Sequence, residues 1–209
     1  VWCVEHLTDL ISPDVEEAAV SREEVIAMAN VAEEEDVLDE DENAVIQNLI
    51  KMDDILASDV MTPRVVAAIA AESMTVKEFY QNESFRHHNR IPVYAENDEY
   101  ITGYILRVDA LQLLADDKFD AKLSGIRRDI ELFNEDTPLG DIWDVMLSKN
   151  EQISCVIDEY GCFQGILSLE DVIETLLGSE IVDENDVAPD MQAYAKERWL
   201  KQQLKKGKK

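Results

Sequence analysis

The chain has 209 residues, of which 46% are hydrophobic and 31% are charged; this composition supports a buried core and excludes a wholly disordered chain. The 46 acidic residues outnumber the 19 basic ones and give a formal net charge of −27, which disfavours binding to nucleic acid or to an anionic membrane surface. No apolar run approaches the roughly 20 residues of a membrane span, and three cysteines without a CxxC pair indicate a soluble fragment in a reducing compartment.

The N-terminal part of the chain concentrates the acidic residues, with 16 of them and only two basic residues between Asp14 and Asp59. Ser21 and Glu24 have the spacing of a capping box and predict the start of a helix. Asp39 and Glu42 repeat that spacing ahead of an apolar stripe and predict a second helix. We therefore predict an acidic helical segment over residues 1–57. The acidic side chains form either a solvated helix face or a surface for divalent cations, and spacing alone does not decide between the two.

From residue 58 onward, strand-like and helix-like patterns alternate. The first set of patterns predicts a helix, two strands and a helix at residues 76–83, 91–94, 101–106 and 108–115. The second set predicts the same order at residues 139–147, 153–157, 163–167 and 169–177. Beyond the second set, residues 184–209 predict a C-terminal helix with a basic tail, whose function the sequence leaves open.

The two sets of elements form an internal repeat. Gly103 and Gly165 are 62 residues apart, as are Asp109 and Asp171. We predict an α+β fold of two β-α-β-β-α repeats, at residues 58–120 and 121–183, packed face to face because neither repeat alone has enough sheet to bury its helices.

The most informative polar pair is Ser168 and Asp171, which stand three residues apart where a strand turns into a helix. A carboxylate at this place can accept hydrogen bonds from two vicinal hydroxyls, as on a ribose, and the helix N-terminus favours a nearby phosphate. The same spacing also fits a purely structural capping box. Spacing alone supports both interpretations equally.

Two further segments offer candidate binding residues. Thr62, Pro63 and Arg64 provide a hydroxyl, an apolar plate and a phosphate-binding fork, although a loop with a helix-ending proline explains them as well. Arg90 begins a predicted strand and Tyr94 ends it, which also fits a surface arginine and a strand tyrosine. We find no metal-ligand spacing, no phosphate-binding glycine loop and no nucleophile elbow. The sequence therefore predicts neither a metal site nor a catalytic group.

In combination, these motifs resemble the tandem CBS pair of the CorB/CorC/CNNM family, which is associated with magnesium and cobalt transport or efflux. The resemblance rests on four segments of this sequence: MTPR at 61–64, RIPVY at 90–94, DEYG at 158–161 and GILSLEDVIE at 165–174. In full-length members, an acidic helical bundle links a transmembrane domain to the CBS pair. The resemblance implies that this chain is the cytosolic part of a membrane protein, at the cytoplasmic side of the inner membrane.

The resemblance also implies a cleft between the repeats that binds an adenine nucleotide, as ATP with magnesium or as AMP. Asp171 would bind the ribose hydroxyls, with Ser168 and Glu170 beside it. The remaining positions carry over as follows: Thr62, Pro63 and Arg64 beside the adenosine and phosphates, Arg90 at the phosphates, and Ile91 and Tyr94 at the adenine. A homodimer formed through the CBS repeats is a further implication.

The two copies differ at the candidate binding position. Leu106 stands in the first copy where the second has Ser168, so Asp109 keeps the carboxylate without the hydroxyl partner. We therefore expect one nucleotide site per chain, built on Asp171. Two other functions compete with this one: a dimerising scaffold that binds no nucleotide, and a nucleotide hydrolase, for which the sequence offers no general base or nucleophile.

Overall fold

The computed structural model describes residues 20–179, which divide into two compact units with the boundary between Ile50 and Lys51. The predicted C-terminal helix and basic tail lie outside the described residues, as do residues 1–19 of the predicted acidic segment. Within residues 20–179, no helix has both the length and the apolar character needed to cross a membrane.

The first unit consists of two helices, α1 (Arg22–Glu34) and α2 (Glu40–Lys51). Ser21 and Glu24 form the predicted capping box at α1, with a side-chain bond in each direction. Asp39 and Glu42 make the same reciprocal pair at the start of α2, at 3.0 and 2.8 Å. Both predicted helix starts are confirmed, because each depends on residues only three positions apart.

The second unit contains, among the described residues, seven strands and five helices. In chain order these are α3 (Ala57–Val60), β1 (Thr62–Pro63), β2 (Ala70–Ala71), α4 (Val76–Gln81), β3 (Arg90–Tyr94), β4 (Ile101–Leu106), α5 (Arg107–Ala115), β5 (Glu131–Asn134), α6 (Leu139–Lys149), β6 (Ile153–Ile157), β7 (Phe163–Ser168) and α7 (Leu169–Leu177). Short 3₁₀ turns lie at Met52–Asp54, Glu83–Phe85 and Leu123–Ile126.

The strands form two separate sheets with the same internal arrangement. One sheet has the order β2-β3-β4 and the other β1-β7-β6-β5. Each sheet contains an antiparallel hairpin, β3–β4 or β6–β7. The first strand of the hairpin also pairs in parallel with an earlier strand, β2 or β5. Each repeat also has its own buried cluster, centred on residues such as Ile91 and Ile105 in the first and Leu139 and Leu167 in the second. The predicted α+β fold with two β-α-β-β-α repeats is confirmed.

The segments at the start of the two repeats change places between the two sheets. Strand β1, near the start of the first repeat along the chain, pairs antiparallel with β7 of the second repeat. Arg128, near the start of the second repeat along the chain, forms an antiparallel bridge with Tyr104 on β4 of the first. Residues 61–64 fall within the predicted first repeat, 58–120, only in the order along the chain. In space, Thr62 and Pro63 belong to the sheet of the second repeat, because the edge of β7 supplies their backbone partners.

Two glycines make this exchange possible. A Cβ atom at Gly165 would lie 2.6 Å from the carbonyl oxygen of Thr62 and 2.7 Å from the sulfur of Met61. A Cβ atom at Gly103 would overlap the carbonyl oxygen of Arg128. Both glycines are buried in the last strand of a repeat, where that strand meets a segment from the start of the other repeat. We call these two segments, at Thr62–Pro63 and at Arg128, the crossing segments. The repeated glycine thus has a packing reason, which is the close approach of two backbones.

Candidate functional site

The corner between β7 and α7 is built by Ser168 and Asp171. The hydroxyl of Ser168 accepts a hydrogen bond from the backbone N–H of Asp171 at 3.1 Å. Oδ2 of Asp171 accepts bonds from the backbone N–H of Ser168 at 2.6 Å and from its hydroxyl at 2.7 Å. The capping interpretation is therefore confirmed. It is compatible with the binding interpretation, because a carboxylate has about four acceptor sites.

The first turn of α7 combines two electrostatic influences. The helix N-terminus presents backbone N–H groups and a partial positive charge that favour an anion. Glu170 is exposed and Asp171 half-buried in the same turn, so two carboxylates already meet that preference. A phosphate bound here would therefore need an additional cation, either an arginine or a divalent metal ion carried with the phosphate.

Arg90 brings a positive charge from the first repeat to this corner. Its guanidinium donates to the side-chain oxygen of Gln152 at 2.9 Å, and the carbonyl of Gln152 accepts from the N–H of Leu169, the first residue of α7, at 3.2 Å. Arg90 and Gln152 are 62 residues apart but are not equivalent, since the strand registers relate Arg90 to Ile153. Their contact therefore joins the start of β3 in the first repeat to the residue before β6 in the second.

The Thr62–Arg64 segment runs along the edge of β7. Thr62 is paired with Ile166, two residues before Ser168. Arg64 follows the strand in the opposite direction: its N–H donates to the carbonyl of Gln164 at 2.7 Å, and its guanidinium forms an ion pair with Asp98 at 3.3 Å. Gln164 lies about 13 Å along the strand from Ser168 at 3.3 Å per residue. Thr62 is thus the member of the segment nearest the corner, whereas Arg64 points to a loop of the first repeat.

The two residues predicted to wall the adenine have different environments. Ile91 is fully buried in the core of the first repeat, with 0% of its surface exposed, so it has no surface to offer to an open slot. Tyr94 is half-buried at the end of β3 opposite to Arg90, about 13 Å along the strand. The structure therefore gathers Thr62, Arg90, Ser168, Glu170 and Asp171 near one corner and places Arg64, Ile91 and Tyr94 elsewhere.

The equivalent corner of the first repeat has different chemistry. Leu106 stands before α5 and makes no side-chain capping bond, which confirms that Asp109 lacks a hydroxyl partner. Oδ2 of Asp109 instead pairs with the guanidinium of Arg128 at 2.9 Å. Sequence reasoning missed Arg128 and Gln152. Gln152 carried no sequence signal of its own, and Arg128 was marked only by its place in a pair of consecutive arginines near the start of the second repeat.

Other reactive groups in the described part of the chain do not form a competing site. Across residues 20–179, no group of three or more His, Cys, Asp or Glu side chains is arranged to hold a metal ion. Burial raises the pKa of the Cys155 thiol to about 12, so this cysteine stays a protonated thiol at neutral pH.

Comparison with known sequences identifies relatives over most of the chain. Residues 57–116 and 123–178 each match the CBS domain. The UPF0053 protein sll1254 of Synechocystis is 30% identical over 198 residues, which is 95% of this chain and 57% of that protein. The magnesium and cobalt efflux protein CorC of Escherichia coli is 25% identical over 171 residues, which is 82% of this chain and 58% of CorC. The chain thus spans under two thirds of the length of these relatives.

Solved structures show the same fold. The CBS domain of a bacterial CNNM/CorC family Mg²⁺ transporter superposes with a TM-score of 0.73 at 26% identity, covering 79% of this chain and 100% of that one. A structure of such a domain in complex with ATP gives a TM-score of 0.62 at 23% identity, covering 66% of this chain and 98% of that one. At that identity the second likeness concerns the fold alone.

Proposed function

The chain belongs to the CBS-domain family, as a tandem pair of the kind that CNNM/CorC proteins carry, and on this premise we propose that it is the nucleotide-binding regulatory part of a magnesium or cobalt transport protein. The module binds and regulates, and it has no catalytic role. The membrane-spanning part belongs to the remainder of the full-length protein, and this module faces the cytoplasm.

The observation that carries this proposal is the corner at Ser168 and Asp171. It combines a carboxylate suited to the vicinal hydroxyls of a ribose with a helix N-terminus. Arg90 reaches the same corner from the other repeat through Gln152 and supplies the cation that a phosphate needs beside Glu170 and Asp171. The residues of the corner therefore fit the ribose and the phosphates of a nucleotide.

The ligand class has further support from the fold. A CBS domain of the CNNM/CorC family has been solved with ATP, and a CBS-domain pair from Klebsiella pneumoniae has been solved with AMP. In this chain, Asp171 would hold the ribose, Ser168 would orient Asp171, and Arg90 would face the phosphates. Magnesium carried with the phosphates of ATP would offset the negative charge of Glu170.

The regulatory step is a preference for one arrangement of the two repeats. A ligand at this corner contacts groups from both repeats, because Arg90 comes from the first and Asp171 from the second. It therefore stabilises the arrangement in which these groups lie close together, by the difference in its affinity for the two states. We propose that a homodimer formed through the CBS repeats passes this preference to the transmembrane domain.

A dimerising scaffold without nucleotide is the second candidate function. It is favoured by the capping box itself, in which Ser168 and Asp171 already bind each other. In a scaffold these two residues would only fix the start of α7, and the chain would have no affinity for nucleotides.

Calorimetric titration with ATP and with AMP, each with and without Mg²⁺, distinguishes the two functions. We expect saturable binding near one nucleotide per chain. Asp171→Asn keeps an oxygen for the capping bond and removes the charge, and it should weaken binding at least about tenfold, since a hydrogen bond to a charged group contributes about 1.5–3 kcal/mol. Asp109→Asn removes the equivalent charge from the first repeat and should leave the affinity unchanged. Absence of binding under all four conditions would reject the proposal in favour of the scaffold.

A further inference from the structure

We infer that Arg128 closes the first repeat's counterpart of the nucleotide position, by holding Asp109 in an internal ion pair, and so limits the chain to one nucleotide. The inference rests on the proposed function at Asp171. It concerns a residue outside that corner, and it explains the number of ligands the chain takes.

The first step is the equivalence of Arg128 and Thr62. Arg128 bridges Tyr104 on β4 of the first repeat, and Thr62 is paired with Ile166 on β7 of the second. Tyr104 and Ile166 are themselves 62 residues apart, and each follows the glycine that admits the crossing segment. The two crossing segments thus approach equivalent strands at equivalent positions.

The second step is the difference between the two side chains at this position. The second repeat has the short hydroxyl side chain of Thr62 beside its corner. The first repeat has a guanidinium, which extends to Oδ2 of Asp109 at 2.9 Å. A guanidinium presents five N–H donors in a fork that matches a carboxylate. It therefore competes directly for the acceptor positions that ribose hydroxyls would use.

The third step is the anchoring of the segment that carries Arg128. The backbone N–H of Arg128 donates to the carbonyl of Tyr104 at 2.8 Å, and its carbonyl accepts from the N–H of Tyr104 at 2.9 Å. The neighbouring Arg127 pairs with Glu72 at 3.3 Å. The ion pair to Asp109 is half-exposed, at 49% and 33% for the two side chains, so the pair itself is weak. The tether keeps the guanidinium at the carboxylate and makes it an effective competitor.

The experiment is to open this position and count nucleotides by calorimetry. The variant L106S/R128T gives the first repeat the Ser-x-x-Asp corner and the threonine of the second, and we expect two nucleotides per chain. The variant L106S/R127T removes the adjacent arginine, which pairs with Glu72 rather than Asp109, and should bind one. Both substitutions of an arginine change only side chains, so the backbone bonds of the crossing segment stay in place.

The possible results separate this inference from the proposed function. One nucleotide in folded L106S/R128T, as in the wild type, would overturn the inference. Binding by L106S/R128T but not by the wild type would uphold the closing role of Arg128 and reject the site at Asp171. No binding by either protein would reject both. If circular dichroism shows that L106S/R128T does not fold, the single variant R128T is titrated instead. We then expect a second nucleotide to bind per chain, more weakly than the first. Binding of only one nucleotide would contradict the inference.

Discussion

The second repeat carries Ser168 and Asp171 where its last strand becomes its last helix, whereas the first repeat carries Leu106 and Asp109 at the same place. The carboxylate is present in both, but its partner differs. In the second repeat the partner is three residues away in the chain, and in the first it is Arg128, which lies 19 residues away. The comparison shows that a repeated carboxylate can serve two purposes, depending on the segment that crosses beside it.

The two repeats share the features that build their sheets and differ at the corner where the last strand meets the last helix. Both have the same hairpin register, and in both a glycine lies beneath an equivalent crossing segment. These features belong to the fold, because each sheet takes an edge partner from the segment at the start of the other repeat. The candidate ligand corner lies outside these shared contacts, and there the two copies differ.

The largest effect is expected from the glycines that the repeats share. Gly103→Ala should lower the free energy of unfolding by about 3 kcal/mol, because the new methyl group meets a backbone carbonyl that cannot move without breaking the strand bridge. Gly165→Ala should cost about 2 kcal/mol, since part of its obstacle is the flexible side chain of Met61. Urea denaturation measures both.

The matched control for these glycines is Gly125→Ala. Gly125 is exposed, and a Cβ atom there meets nothing within 4 Å. The unfolding free energy of the Gly125→Ala variant should stay within about 0.5 kcal/mol of the wild-type value. If Gly103→Ala proves as stable as Gly125→Ala, the close approach of Arg128 to β4 is wrong.

A smaller effect is expected at the corner in which the repeats differ. Ser168→Ala removes the hydroxyl that caps α7 and should destabilise the chain by about 1 kcal/mol. Ser84→Ala, at an exposed position in a 3₁₀ turn, should leave the stability unchanged. The midpoint of thermal unfolding checks both variants, and equal midpoints would mean that the Ser168 hydroxyl does not contribute to the helix start.

The smallest effect is expected from the ion pair of the first repeat. A double-mutant cycle with Asp109→Asn and Arg128→Gln should give a coupling energy of about 0.5 kcal/mol. The reason is that solvent screens the pair, since the side chain of Arg128 is 49% exposed and that of Asp109 is 33% exposed. The coupling should fall further in 1 M salt. A coupling above about 2 kcal/mol would show that Arg128 stabilises the fold itself, beyond closing a ligand position.

The local features of the fold were accessible from the sequence. The capping boxes at Ser21, Asp39 and Ser168 each involve two residues three positions apart, and the structure contains all three. The hairpins of both repeats followed from apolar patterns. The helix predicted over residues 76–83 ends at Gln81 instead, because Asn82 caps the 3₁₀ turn that follows.

The candidate site was accessible only in part. Ser168, Glu170 and Asp171 lie on one turn of helix, so their proximity was certain once the helix was predicted. Arg90 was singled out for its charge at the start of a strand, but its route to the corner through Gln152 depends on the contact between the repeats. Ile91 was placed at the adenine by resemblance, and its position in the core of the first repeat was decided by the inward face of β3.

By itself, the sequence determined the elements, their repetition and the asymmetry between Ser168 and Leu106, because each of these depends on neighbours a few residues away or on a direct comparison of two segments. Only the tertiary structure decided that Thr62 joins the second sheet and that Arg128 reaches Asp109. A paired segment of one or two residues leaves no periodicity in the sequence. Its place is fixed by the free edge of a distant strand and by the glycine that lets two backbones come close.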